Sequence, residues 1–195
     1  VEMPESYDQR TAAKDPAQSE RLSGDVDIAG IKNQADVAEV YLARGDNGEL
    51  SRIILPVHGY GLWSTLYGFL ALEPDANTVA GLGFYEHGET PGLGGEVDNP
   101  KWKALWEGKK LYGDQGEVEI QVNKGTVESN TPNAEHKVDG LAGATLTSKG
   151  VSNLLRFWVG ENGFGPYLKR MRQGGGDVAE ATDAVESSEQ PEGDA

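Results

Sequence analysis

The chain contains no cysteine. That excludes a disulfide framework, a cysteine-ligated iron–sulfur cluster and a thiol-linked cofactor, while leaving the redox compartment open. Positive charge is scarce: 17 Lys and Arg stand against 32 Asp and Glu, a formal net charge of −15. A nucleic-acid backbone repels such a surface and anionic lipid headgroups disfavour it, so no nucleic-acid partner is expected. Long apolar runs are also missing. No stretch of about twenty apolar residues occurs, so nothing in this sequence reads as a membrane-spanning helix. No signal peptide is visible and Val1 is not a native start, so the sequence reads as a trimmed or processed product.

Catalytic signatures are equally sparse. No G-x-G-x-x-G occurs, which leaves a Rossmann nicotinamide site unsupported. The run from Gly143 to Gly150 echoes a P-loop only loosely, because Ser148 stands where the second glycine is required and Gly150 where the Mg²⁺-binding hydroxyl belongs. There is no G-x-S-x-G elbow. His58, His87 and His136 are far apart with no paired spacing, so no metal site is expected.

What is present suits one domain of ordinary size, since 195 residues can bury a core without a metal or disulfide. Residues 1–24 are polar and read as weakly ordered. The segment 173–195 reads as a disordered acidic tail: from Gly174 on it carries seven acidic residues, no Lys or Arg and no aromatic, too little apolar surface to offset the entropy of ordering. The folded unit is then 25–172.

Its first half is β-rich. Val37, Val40 and Leu42 begin a strand, Arg44 to Gly48 is turn chemistry, and Leu50 to Val57 is a β-branched run completing a hairpin. Leu66–Leu72 and Val79–Tyr85 are two more strands, separated by the turn from Glu73 to Asn77; Val118–Val122 is another candidate. Asn99-Pro100 can cap a short helix with Trp102, Leu105 and Trp106 on one face. Val151, Leu154, Leu155, Trp158 and Val159 follow a buried helical stripe, with Thr147 or Ser148 as N-cap and Gly160 as the stop. Gly165-Pro166 opens a last turn or two through about Met171. The fold class expected is α+β, a curved antiparallel sheet with helices packed on it.

Three glycine-rich segments stand out: Gly59 to Trp63, Glu89 to Gly95, and Asp139 to Ser148. Each sits beside a strand and is rich in residues that let backbone approach a ligand. The third places Gly143, Ala144, Thr145 and Thr147 at a helix mouth, where free N–H groups and the helix dipole favour a phosphate. Read alone, the same residues are a turn begun by Asp139 and a cap for the following helix.

Together the runs Gly59–Gly68 (GYGLWSTLYG), His87–Glu96 (HGETPGLGGE) and Gly143–Ser148 (GATLTS) resemble the FMN-binding domain shared by the C subunit of sodium-translocating NADH:quinone oxidoreductases and the G subunit of Rnf-type complexes. The run from Lys101 to Lys110 is closer to the C subunit. The resemblance covers nearly the whole folded region. It implies FMN joined through its phosphate to the Thr145 hydroxyl, attached by a separate Mg²⁺-dependent flavin transferase that uses FAD as donor. Ala142 departs from the family's Ser or Thr at that place. A threonine hydroxyl is a poor nucleophile without an adjacent base, and nothing in sequence beside Thr145 supplies one, as befits a substrate motif.

By the same resemblance Glu89, Thr90, Leu93 and Gly94 meet the isoalloxazine edge or ribityl chain, with Gly61 and Trp63 on the neighbouring loop. Trp63 is either a shield for the ring or a core tryptophan under the hairpin. Lys124 is a candidate polar contact. The implied function is one-electron transfer between redox centres of partner subunits in a membrane complex that couples NADH oxidation and quinone reduction to sodium export. It carries no catalytic acid or base. An N-terminal transmembrane helix would anchor the domain on the periplasmic face of a bacterial inner membrane. Two other readings remain: the Rnf-type G subunit or a related FMN-binding protein, and a cofactor-free acidic ligand-binding module.

Overall fold

The computed structural model describes residues 6–174. At its centre is an antiparallel sheet of four strands, β3 (Tyr41–Arg44), β4 (Leu50–Tyr60), β5 (Thr65–Leu72) and β6 (Val79–Glu86), ordered as in sequence. Tight connections make neighbours in sequence neighbours in space, and the two turns read from the sequence close the β3–β4 and β5–β6 hairpins. The register pairs Val57 with Gly68 and Leu55 with Leu70, so Ile53, Leu55 and Val57 share the buried face with Leu66, Leu70 and Leu72.

The long helix α3 (Thr145–Trp158) lies against that face. Its Val151, Leu154, Leu155 and Trp158 are buried, and each such side chain contributes about 1.5–3 kcal/mol on burial. The short helix α2 (Pro100–Ala104) is capped by Asn99, whose side chain accepts the Lys101 N–H at 3.0 Å. A last helix, α4 (Gly165–Arg172), begins where Gly165-Pro166 was expected to start one. The architecture is the expected α+β sheet with helices packed on it.

Four local expectations change. The segment 1–24, expected to be weakly ordered, carries regular structure from residue 6 onward: α1 (Gln9–Ala12) is capped by Asp8, and β1 (Ser19–Arg21) pairs with β2 (Asn33–Ala35). Arg10 holds this segment down through a two-pronged bond to Glu86 at 2.7 and 2.9 Å and by stacking over Tyr67. The candidate strand 118–122 shrinks to β7 (Gln121–Val122), parallel to β8 (Lys137–Val138), because the Glu119 and Ile120 N–H groups both turn to the Leu111 carbonyl, at 3.0 and 3.2 Å, and Val118 makes only an isolated bridge with Tyr112. Leu105 leaves the Trp102–Trp106 face and is 38% exposed, since α2 ends at Ala104. Helix α3 starts at Thr145 with Ala144 in the cap position; the Thr147 and Ser148 hydroxyls are engaged elsewhere. Of the acidic tail, residues 175–195 lie outside the described residues.

Candidate flavin site

The hairpin end of β4 and β5, the turn after β6 and the N-terminus of α3 meet at one carboxylate. Glu89 is 5% exposed. Its Oε1 accepts the backbone N–H groups of Leu62 (3.0 Å), Trp63 (2.9 Å) and Ser64 (3.3 Å), and its Oε2 accepts the Thr147 hydroxyl at 2.6 Å. Burial pushes this carboxyl up, but the bond from Thr147 and the three N–H groups outweigh it and hold Glu89 below the usual carboxylate range. The three glycine-rich segments of the sequence are thus brought together.

Several of their glycines serve this packing. A Cβ on Gly61 would meet Glu89 Oε1 at 2.6 Å, and one on Gly94 would meet Thr147 Oγ1 at 2.5 Å and Glu89 Oε2 at 2.8 Å. A Cβ on Gly150 in α3 would meet the Tyr60 carbonyl oxygen at 2.5 Å. Gly143 has φ +70° and its Cα faces Leu93, joining the second segment to the third. Close approach is required here, as the sequence suggested, but much of it is between segments of the chain.

Thr145 is the first residue of α3 and is exposed. No side chain caps the helix. The Ala144 N–H bonds the Leu141 carbonyl, and the first intrahelical bond runs from the Ser148 N–H to Ala144 at 3.0 Å. The N–H groups of Thr145, Leu146 and Thr147 lie between these two, in the turn that has no intrahelical acceptors. An uncapped helix mouth of this kind suits a phosphate. Beside it the surface is unusually apolar: Trp63 is 64% exposed, with Leu93 and Leu146 exposed as well. Trp63 is therefore not a core tryptophan. The residues present fit a phosphate-bearing planar ligand, an anion at the helix mouth and apolar side chains for a ring.

Other expected contacts fall at the margin. Thr90 is exposed and its carbonyl accepts the Leu93 and Gly95 N–H groups, shaping the turn. Lys124 is exposed in a loop that abuts Asp139-Gly140, with Gly140 N–H to Gly125 carbonyl at 2.8 Å. Asp139 anchors that loop by accepting the Val127 N–H at 2.8 Å. The Trp102 indole donates to the Asp139 carbonyl, so that tryptophan packs behind the segment. Thr147 and Glu89 were expected at the ligand; their side chains are turned inward to each other, which leaves only Thr147's backbone N–H at the helix mouth. Leu146 was missed, although a large apolar residue standing off the buried stripe next to Thr145 was the available signal. A separate cavity of about 1060 Å³ lies between Tyr112 and α4. It contains none of these residues.

Residues 61–160 match the FMN-binding domain family. The chain belongs to that family. Among its relatives, the C subunit of the Na(+)-translocating NADH-quinone reductase of Pseudomonas aeruginosa is 62% identical over 171 residues, 88% of this chain and 65% of that protein. The counterpart from Neisseria meningitidis serogroup B is 49% identical over 175 residues, 90% of this chain and 66% of that protein. The chain therefore spans just under two thirds of the length of these relatives. The crystal structure of Shewanella oneidensis NqrC superposes with a TM-score of 0.79 at 41% identity, covering 86% of this chain and 75% of that one. Within the FMN-binding family the chain thus sits in the NqrC branch. Among the described residues no helix is long and apolar enough to cross a membrane.

Proposed function

We propose that the chain is a covalent-FMN electron carrier, the C subunit of a sodium-pumping NADH:quinone oxidoreductase, with FMN joined to Thr145. One observation carries this reading: an exposed threonine begins an uncapped 14-residue helix beside exposed Trp63, Leu93 and Leu146. The names of the relatives favour it over an Rnf-type G subunit, and the FMN-binding match favours it over a cofactor-free module.

The Thr145 hydroxyl oxygen would hold FMN through a phosphoester, made by a flavin transferase with FAD as donor, AMP as leaving group and the hydroxyl proton taken up by the transferase. The Thr145, Leu146 and Thr147 N–H groups would hold the phosphate. Trp63, Leu93 and Leu146 offer the apolar surface on which the ring is shielded, while Glu89 fixes the two loops relative to the helix. Bound FMN supplies the redox chemistry, and the chain supplies position and electrostatics without an acid or base of its own. NADH oxidation takes place on a partner subunit.

The domain faces the periplasm from an N-terminal transmembrane helix in the bacterial inner membrane. Residues 1–195 include no cysteine, so a Leu105→Cys variant, read against its parent protein, tests this side. It should react with an impermeant maleimide in cells whose outer membrane alone is opened, and protection there would place the domain in the cytoplasm.

The attachment is tested by mass spectrometry of chain produced with the transferase. Thr145→Ala should lose the covalent flavin mass, while Thr145→Ser should retain it. Covalent FMN on the Thr145→Ala protein would overturn the assignment.

A further inference from the structure

The geometry points to a docking surface on the outer face of the sheet for a partner subunit with an apolar centre and a basic rim. The inference rests on the chain being one subunit of a redox complex. In an antiparallel sheet with one face on the core, the other face ordinarily alternates to polar residues. Here the outward positions of β4 and β5 include Ile54, Pro56, Phe69 and Ala71, paired as Ile54 with Ala71 and Pro56 with Phe69. Tyr41 from β3 pairs with Ile54, and Gly83 from β6 pairs with Phe69. Tyr41, Phe69 and Tyr85 are 48%, 40% and 60% exposed.

These rings form one connected surface. Tyr41 meets Phe69 edge-on at 6.3 Å, Phe69 lies 5.5 Å from Tyr85, and Tyr85 lies 6.4 Å from Tyr67. A contiguous exposed aromatic face marks an interaction site, and aromatic centres are what interface cores favour. Farther along β4, beyond His58 and the Arg10-covered Tyr67, Tyr60 also points outward and donates its hydroxyl to the Trp63 carbonyl at 3.3 Å.

Charge selects the occupant. Asp8, Asp36 and Glu39 act on Tyr7, and Asp8 and Glu39 on Tyr41; burial is the largest effect raising both phenols, and these acids raise them further. Glu86 is paired with Arg10 at 2.7 Å, so the acids of this side without an ion pair among the described residues are Asp8, Asp36 and Glu39, with Lys14 the other cation near Glu86. Arg52 farther along is paired with Glu73 at 2.9 Å. A second copy would meet its own acids across a two-fold axis, under a net charge of −15 each. An anionic lipid surface is repelled likewise. A protein surface rimmed by Lys or Arg is complementary.

The test uses the complete chain co-expressed with the other subunits. Carbodiimide cross-linking should join Asp36 or Glu39 to a lysine of a partner subunit, and Phe69→Ser with Tyr85→Ser should lower that cross-link yield at least tenfold. Leu105→Ser, exposed elsewhere, should leave it unchanged. Unchanged yield in the double variant, or cross-links only to a second copy or to no protein at all, overturns the proposal. Should the double variant melt early by circular dichroism, the exposed-rim variant Asp36→Lys with Phe69→Asp decides by electron-transfer rate between subunits. At least a tenfold slowing supports the surface and an unchanged rate overturns it. Covalent flavin measured on the same samples separates failure of this surface from failure of the carrier reading.

Discussion

Thr147 Oγ1 donates a 2.6 Å hydrogen bond to Glu89 Oε2 across 58 residues of sequence, and both residues are buried. The bond ties the turn after β6 to the first turn of α3, close to Thr145. The other carboxylate oxygen holds the hairpin loop, so a single side chain sets the relative position of the three segments that make the site.

Removing either end should therefore loosen stability and site together. Thr147→Val keeps the shape but leaves Glu89 Oε2 unpaired in a buried position, and should cost about 1–3 kcal/mol. Glu89→Ala strands the Leu62, Trp63 and Ser64 N–H groups together and should cost more, each stranded group about 1–3 kcal/mol where it stays buried. Thr147→Ser, which keeps the hydroxyl, should cost less than Thr147→Val. Urea unfolding of the three apoproteins measures the order; equal costs for the Val and Ser variants would show that the hydroxyl is not the brace.

The glycines divide the same way. Gly61→Ala and Gly94→Ala each place a methyl group against Glu89 or Thr147 at under 3 Å, and overpacking of this kind costs about 1–3 kcal/mol. Gly83→Ala on the outer face of β6 meets nothing within 4 Å, and should change stability by no more than about 0.5 kcal/mol. Thermal melts of the three variants check the contrast. A Gly94→Ala protein as stable as Gly83→Ala would mean that the turn yields without loss.

Much of this was legible in the sequence where the signal is local. The stretches Leu50–Val57 and Leu66–Leu72 announced β4 and β5, and the stripe Val151, Leu154, Leu155, Trp158 announced α3, because burial on one face imposes a period. Asn99-Pro100 announced α2 by cap chemistry. The missed features depend on partners remote in sequence. Arg10 orders the polar N-terminal segment through Glu86, 76 residues away. Glu89 looked like a loop carboxylate facing a ligand, since its donors lie 25 to 58 residues away and have no common pattern. The cap of α3 was misplaced because its two hydroxyls, the usual capping groups, were taken by tertiary bonds.

Trp63 gives an optical handle on the site. Of the four tryptophans, Trp106 and Trp158 are fully buried and Trp102 nearly so, while Trp63 is exposed. Acrylamide should quench one fraction of the apoprotein's emission, and Trp63→Phe should abolish that fraction. Chain carrying covalent FMN should show the Trp63 emission shielded from acrylamide or quenched by the flavin. An acrylamide-accessible Trp63 with unchanged intensity in flavin-loaded protein would place the ring elsewhere.

His58 should make the fold acid-sensitive before the carboxylates do. Its ring is stacked on Tyr67 at 5.4 Å and lies 5.1 Å from Trp158. Burial pushes its pKa from 6.5 down to about 4, with Arg10 pushing the same way and Asp27 opposing. The unfolded chain then binds this proton more tightly than the folded one. The stability tied to neutral His58 is therefore whole above pH 6.5 and declines as pH falls from there toward 4. By pH 5 the loss should reach about 2 kcal/mol. Glu89, whose pKa is lowered, gives up its own contribution only below the ordinary carboxylate value of 4.5, so the interval from about pH 7 to about pH 5 isolates the histidine. His58→Phe keeps an aromatic ring between Tyr67 and Trp158 and has nothing to protonate. Urea unfolding across that interval should show a falling stability for the parent chain and a flatter one for the variant. Parallel slopes would mean that His58 titrates in the folded state as it does in the unfolded chain.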